Sequence, residues 1–227
     1  MIEASMTVTS VRVYPAGRAL YYNLAFPKRP PLATSADWVG GTWLIGACYK
    51  NPNPLYGAYP RGYLERVHSM FPDTLRVLHV FSGGLTVEHA IAAAWPGMAY
   101  RKASGCPTAD DGLAIELVDL HGPEQGRYPT WQGDLFNMPA EWAGRFDLIL
   151  ADPPYSTDDA KKYGTPMVNR GKVMHKLREV CKPGGNLVWL DQVWPMHRKT
   201  DWRTWAQIGL VRSTNHRVRL VSMFEAV

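Results

Sequence analysis

Apolar positions along the chain change their spacing repeatedly, and each change marks an element. Leu64, Val67, His68 and Phe71 fall at helical spacing, and Pro72 stops the run. Leu75–Phe81 (LRVLHVF) is a buried-strand pattern bounded by Ser82, Gly83 and Gly84. Thr86 then caps a predicted helix through Val87–Trp95, which Pro96 and Gly97 stop. Leu113–Leu120 and Phe146–Ala151 read as further apolar strands, and Trp131–Leu135 as a short turn or strand. Val173, Met174, Leu177 and Val180 mark an amphipathic helix closed by Pro183, Gly184 and Gly185. Asn186–Leu190 reads as a strand, Thr204–Ile208 as a short helix, and Arg217–Phe224 as the last strand.

The first fifty residues carry weaker patterns. Ser10–Tyr14, Leu20–Ala25 and Thr42–Cys48 read as short strands, with Pro27, Pro30 and Pro31 breaking the chain between them. Asn51–Pro54 is a turn-rich connector, and no period of 20–50 residues recurs. Strands alternating with helices predict an α/β fold, a doubly wound and mostly parallel sheet with helices on both faces.

Composition narrows this further. The chain has 227 residues, 46% of them hydrophobic and 20% charged, which suits one ordered domain and excludes a disordered chain. No apolar run approaches the roughly 18 residues of a membrane span, and no leader-like segment opens the chain, so a soluble, cytoplasmic protein is expected. Cys48, Cys106 and Cys181 lie far apart, which argues against a disulfide framework or zinc knuckle; no metal is expected. Charge is unevenly spread. Residues 1–78 carry 8 Lys/Arg against 4 Asp/Glu, residues 79–160 carry 4 against 12, and residues 161–227 carry 13 against 4. An acidic centre between basic flanks suits a chain that holds a small molecule centrally and meets a polyanion at its flanks.

In a doubly wound sheet, ligands bind at the carboxyl ends of the strands. Two strand ends carry distinctive residues. The first is Phe81-Ser82-Gly83-Gly84, where glycine permits a tight turn and a close ligand approach. The second is Asp152-Pro153-Pro154-Tyr155, directly after the strand Phe146–Ala151. Consecutive prolines stiffen this loop and hold a carboxylate, the Pro153 carbonyl and an aromatic ring in fixed relation. The two acceptors can take both N–H bonds of a planar exocyclic amine while the ring stacks on its base.

The order FSGG, an acidic residue ending the next strand, Gly133-Asp134, then DPPY resembles the S-adenosylmethionine-dependent amino-methyltransferases, most closely the N6-adenine group with its Dam-like motif order. Gly57–Tyr63 resembles the segment those enzymes place before their glycine turn. The resemblance implies a class I methyltransferase domain over residues 56–227, leaving 1–55 as an N-terminal extension of unknown role. It also implies that Phe81, Ser82, Gly83 and Gly84 border the methionine part of S-adenosylmethionine, with Tyr59 nearby. Asp119 would accept from the ribose hydroxyls, with Glu116 in that role if the strand ends earlier, and Asp134 would contact the adenine moiety. Asp152, Pro153, Pro154 and Tyr155 would form the catalytic loop, with Asp152 also bordering the cofactor. The chain departs from the family in carrying His79 and Leu85 where an acid and a glycine are usual.

The activity implied is methyl transfer to adenine N6 in DNA, with base flipping from a duplex. RNA adenine, cytosine N4, a protein glutamine amide and a non-catalytic nucleic-acid-binding subunit are the alternatives. Lys161, Lys162, Arg170 and Lys172 follow the catalytic loop and are candidate phosphate contacts, with Arg217 and Arg219 further along. Sequence selectivity is left to residues 1–55, the 97–112 loop, the loop after Tyr155, or a partner or second copy. Trp189, Trp194, Trp202 and Trp205 are read as core or as stacking surfaces, and Cys181 as a core residue within a helix.

Overall fold

A computed structural model describes residues 15–45, 59–94, 113–212 and 217–227. The sequence readings at Ser10–Tyr14, Asn51–Pro54, Gly57, the 97–112 loop, Cys48 and Cys106 lie outside these residues. In chain order the elements are α1 (Pro15–Ala25), β1 (Ala33–Ser35), β2 (Trp38–Ile45), α2 (Tyr63–Met70), β3 (Arg76–Val80), α3 (Val87–Ala94), β4 (Ala114–Asp119), β5 (Trp131–Gln132), β6 (Phe146–Ala151), α4 (Thr157–Lys162), α5 (Arg170–Val180), β7 (Cys181–Asp191), β8 (Trp202–Arg212) and β9 (Val218–Ala226). Among the described residues no helix is long and apolar enough to cross a membrane.

The strands form one sheet in the order β1-β2-β8-β9-β7-β6-β3-β4-β5. Strands β5, β4, β3, β6 and β7 run parallel, and β9 runs antiparallel between β7 and β8. The period-2 geometry of the strands distributes side chains between two cores. Val77, Leu148, Leu150 and Val188 pack with Val67 and Met70 of α2 and Tyr22 of α1 on one face. Their neighbours Leu78, Ile149, Ala151 and Leu187 pack with Val173, Met174 and Leu177 of α5 on the other. Continuous apolar runs such as FDLILA are required by a sheet covered on both faces, and the doubly wound α/β expectation holds.

Three local readings are corrected. Leu20–Ala25 is the second half of α1, because Pro15, Arg18, Ala19 and Tyr22 are buried at helical spacing. Tyr22 lies against Trp43 of β2, their ring centroids 5.6 Å apart, while the Arg18 guanidinium pairs with Asp73. Thr204–Ile208 is not helix but the middle of β8, held between β2 and β9. A bulge between Thr204 and Ala206 breaks the two-residue alternation, so that Trp202, Trp205 and Ile208 fall at three-residue intervals and imitate a helix. Helix α5 ends at Val180, before Pro183, and Cys181 is the first residue of β7 rather than part of a helix. Its thiol is fully buried, and burial pushes it up to about 12.

Residues 15–45 contribute a helix and two strands to the same sheet as the rest of the chain: β2 pairs in parallel with β8 over Val39–Ile45. Trp189, Trp202 and Trp205 are core residues, whereas Trp194 is 47% exposed.

Candidate active site

The chain passes from β3 outward to β4 and β5 and then returns to β6 on the other side of β3. The strand order therefore reverses between β3 and β6, and a crevice at their carboxyl ends is the position the fold offers to a ligand. A pocket of about 220 Å³ occupies it, with Phe81 and Gly83 from the turn after β3, Asp119 and Leu120 from the end of β4, and Asp152 and Pro154 from the loop after β6.

The first wall is the turn after β3. Phe81 and Gly83 both have left-handed backbone, with φ of 59° and 57°. Glycine adopts this freely, but a phenylalanine held there carries strain. The turn is fixed to β4: Ser82 donates its N–H to the Val118 carbonyl at 3.1 Å, and Gly83 donates its N–H to Asp119 Oδ2 at 2.9 Å. Thr86 caps α3 as its sequence position implies, accepting from the His89 N–H at 3.3 Å.

Asp119 ends β4 and is 5% exposed. Its carboxylate also accepts from the His121 N–H at 3.1 Å and from Arg127 Nη1 at 3.0 and 3.2 Å. The Arg127 guanidinium lies 5.5 Å from the Tyr163 ring centroid and lines the same pocket. Glu116, the alternative acid, is not among the pocket residues and accepts from the Thr130 hydroxyl. Strand β4 thus runs to Asp119, and Asp119 is the acid at the site. Opposite, Asp134 accepts from the Phe136 N–H at 3.1 Å, and Leu120 and Phe136, both about two-fifths exposed, stand on the pocket wall.

The second wall is the loop after β6. Pro153 and Pro154 are buried, so the two-proline segment is seated rather than solvated. The Tyr155 hydroxyl donates to Asp152. Burial raises the Asp152 carboxyl from 3.8 to about 7, against the opposing pull of the Arg219 cation and the Tyr155 hydrogen bond. Tyr59 and Tyr63 stack at 5.4 Å with both hydroxyls buried, and the Asp152 charge adds to burial in raising each phenol. His79 is fully buried in β3 with its ring 6.0 Å from Tyr59, and burial lowers it to about 3, so it is neutral.

The basic residues after the loop divide. Lys161 and Lys162 are exposed in the last turn of α4, and Lys172 is exposed beside the pocket. Arg170, expected at a phosphate, is committed within the protein. It donates to Asp191 through Nε at 2.6 Å and Nη2 at 3.1 Å, and to the Tyr155 carbonyl at 3.1 Å. Asp191 has no exposed surface and needs that partner. The Arg170–Asp191 pair therefore anchors the loop from behind.

The structure brings Phe81, Ser82, Gly83, Asp119, Asp134 and Asp152 to one end of the sheet, with Tyr59 and Tyr155 alongside. Sequence reasoning missed Arg127 and the 165–168 segment as pocket walls, and Arg219 and Tyr63 as neighbours of Asp152. Tyr63 ends the Gly57–Tyr63 segment without being singled out in it, and the others lie in no local motif that marks them; the tertiary fold brings them in.

No protein-family model matches the chain, and no curated protein matches it. Solved structures similar to it include the antibiotic-resistance methyltransferase Kmr, at 15% identity over 67% of this chain and 87% of that one, with a TM-score of 0.35. Another is a Burkholderia thailandensis 1,6-didemethyltoxoflavin-N1-methyltransferase with S-adenosylhomocysteine bound, at 13% identity over 74% and 77%, with a TM-score of 0.45. A third is the N-methyltransferase NodS from Bradyrhizobium japonicum WM9, at 14% identity over 72% and 92%, with a TM-score of 0.42. At these identities no residue of the site is carried across.

Proposed function

We propose that this chain transfers a methyl group from S-adenosylmethionine to the exocyclic N6 amine of adenine in DNA. The observation that carries the reading is the Asp152–Tyr155 loop. It presents a desolvated carboxylate, backed by a tyrosine hydroxyl, at the end of β6 and on the wall of the switch-point pocket.

The pocket suits the cofactor. Leu120 and Phe136 offer apolar surface for a purine ring, and Asp134 is beside them. Asp119 offers a carboxylate for the ribose hydroxyls, which reach it by taking the place of Arg127. The left-handed turn at Phe81–Gly83 lets the backbone approach the ligand. The volume lies below the roughly 300–1,000 Å³ of most ligand pockets, and Arg127 is one of the walls that narrows it. When bound, S-adenosylmethionine supplies an electrophilic methyl group on a sulfonium.

The remaining work falls to the protein. Adenine N6 is a poor nucleophile because its lone pair is delocalised into the ring. Asp152 and the Pro153 carbonyl accept its two hydrogens, which favours a pyramidal nitrogen and stabilises the positive charge that develops there. A carboxyl poised near neutrality can also receive the proton the amine sheds once the new C–N bond forms and the S–C bond breaks. Tyr155 offers a ring for the base to stack on. Lys161, Lys162 and Lys172 are exposed and offer cations to the phosphates flanking a flipped nucleotide, and the basic balance of residues 161–227 supports a polyanionic substrate.

Tritium transfer from methyl-labelled cofactor tests the reading, with DNA, RNA and protein offered separately. Label in DNA supports it. Label confined to RNA or to protein replaces the substrate, and no label in any acceptor removes the enzyme reading.

A further inference from the structure

Strand β9 runs antiparallel to β7, with Leu220 opposite Asp191. Its first residues therefore return to the edge of the sheet from which the Asp152–Tyr155 loop projects. Arg219 sits there, with its guanidinium carbon 4.5 Å from the centroid of the Tyr155 ring. That distance is a cation–π contact. The hydroxyl of the same ring donates to Asp152, so one aromatic ring carries a cation on its face and a carboxylate at its edge.

Among the described residues, the other groups that act on the Asp152 charge or that it acts on are anionic or neutral. Asp191, at the end of β7, is an anion whose charge is taken by Arg170. Tyr155 on the same loop, Tyr63 on α2 and Tyr59 before it are phenols raised by burial, and they remain neutral. Burial alone drives Asp152 toward the protonated acid, which is a weaker acceptor than the carboxylate and can neither stabilise the positive charge developing on the amine nor take its proton. Arg219 is the group that opposes it.

Resting on the function proposed above, we propose that Arg219 is a positioning residue of the transfer site: it holds Tyr155 by its ring face and so sets a positive charge beside the Tyr155–Asp152 pair. This assigns Arg219 a role inside the site in place of the phosphate contact its sequence position suggests. It also explains why a basic side chain at the start of the last strand points back over the loop instead of into solvent.

The test compares Arg219→Gln and Arg219→Lys with the wild-type chain. The Asp152 carboxyl is titrated by carbon-13 NMR, with its resonance assigned from Asp152→Asn, and methyl transfer to DNA is followed across the same pH range. Gln is expected to raise the Asp152 midpoint by about one pH unit and to move the acidic limb of the rate profile by the same amount. Lys restores most of both, and cofactor affinity by calorimetry stays within a few-fold in all three. A midpoint identical in wild type and Arg219→Gln overturns the proposal. So does a Gln variant that keeps its midpoint but binds DNA more weakly with a shallower salt slope, since that is a phosphate contact. If the wild type transfers no methyl group but the midpoint still rises in Arg219→Gln, the transfer reading fails while the coupling of Arg219 to Asp152 stands.

Discussion

Gly83 and Asp119, 36 residues apart, are joined by a 2.9 Å hydrogen bond from the Gly83 N–H to the Asp119 carboxylate. This bond ties the turn after β3 to the end of β4 and shapes two walls of the pocket at once. One acid thus both lines the pocket and fixes the glycine turn.

Asp119→Asn is expected to weaken cofactor binding about tenfold or more, since a hydrogen bond to a charged acceptor contributes roughly 1.5–3 kcal/mol. Turnover at saturating cofactor should change little. Asp119→Ala should in addition lower the melting temperature, because it leaves the mostly buried Arg127 without its carboxylate. Calorimetry and thermal unfolding check both. Glu116→Ala is the control, and a loss of affinity there instead would move the ribose site up the strand.

The Asp152 carboxyl gives a pH signature in stability. It rises from 3.8 to about 7 on folding, so between those values the folded protein holds a proton that the unfolded chain has released. The contribution of this group is therefore present below about pH 4 and is lost as pH rises through about 7. Asp152→Asn, which never ionises, should be more stable than wild type at pH 8, and the gap should narrow toward pH 5. Chemical unfolding at both pH values reads this directly. Equal gaps would place the carboxyl in solvent.

Arg170→Ala should destabilise the protein by about 3–5 kcal/mol, the usual cost of leaving one member of a buried ion pair alone. Trp189 Nε1 and the Gln192 N–H would remain as the neutral donors to Asp191. Denaturant unfolding measures the loss. A small change in stability with a lowered salt slope of DNA binding would return Arg170 to the phosphate role.

Much of this was legible in the chain because it is local. The two-face apolar run Phe146–Ala151 can only be a central strand, and the stiffness of Asp152–Tyr155 is written in its two prolines. Asp119 was legible as a strand-end acid, though its Arg127 partner was not. What stayed hidden depends on long-range pairing. Leu20–Ala25 looked like a strand because the helical phase of α1 includes Arg18, whose burial depends on Asp73 from 55 residues away. Trp202, Trp205 and Ile208 imitated a helix because a bulge shifted the strand phase, and the sequence carries no mark of that bulge. Arg219 reaches Tyr155 only because the last strand inserts antiparallel between β7 and β8.

Lys161→Ala/Lys162→Ala should weaken binding to every DNA sequence alike. The slope of log affinity against log salt should fall by about one unit for each phosphate contact removed. Affinity for a short duplex and a single strand across a salt series measures it. An unchanged slope would remove α4 from the DNA-binding face.

If Asp152 directs methyl transfer to an adenine amine, removing its carboxylate must cost rate without costing cofactor affinity. The most direct measurement is digestion of DNA after incubation with S-adenosylmethionine and identification of the methylated nucleoside by mass spectrometry, for wild type and Asp152→Ala side by side. N6-methyladenine is expected from the wild type, with a rate lower by about 10²–10³ in Asp152→Ala and cofactor affinity held within a few-fold. A methylated base other than adenine, or an Asp152→Ala variant that still forms N6-methyladenine at the wild-type rate, would contradict this role of Asp152.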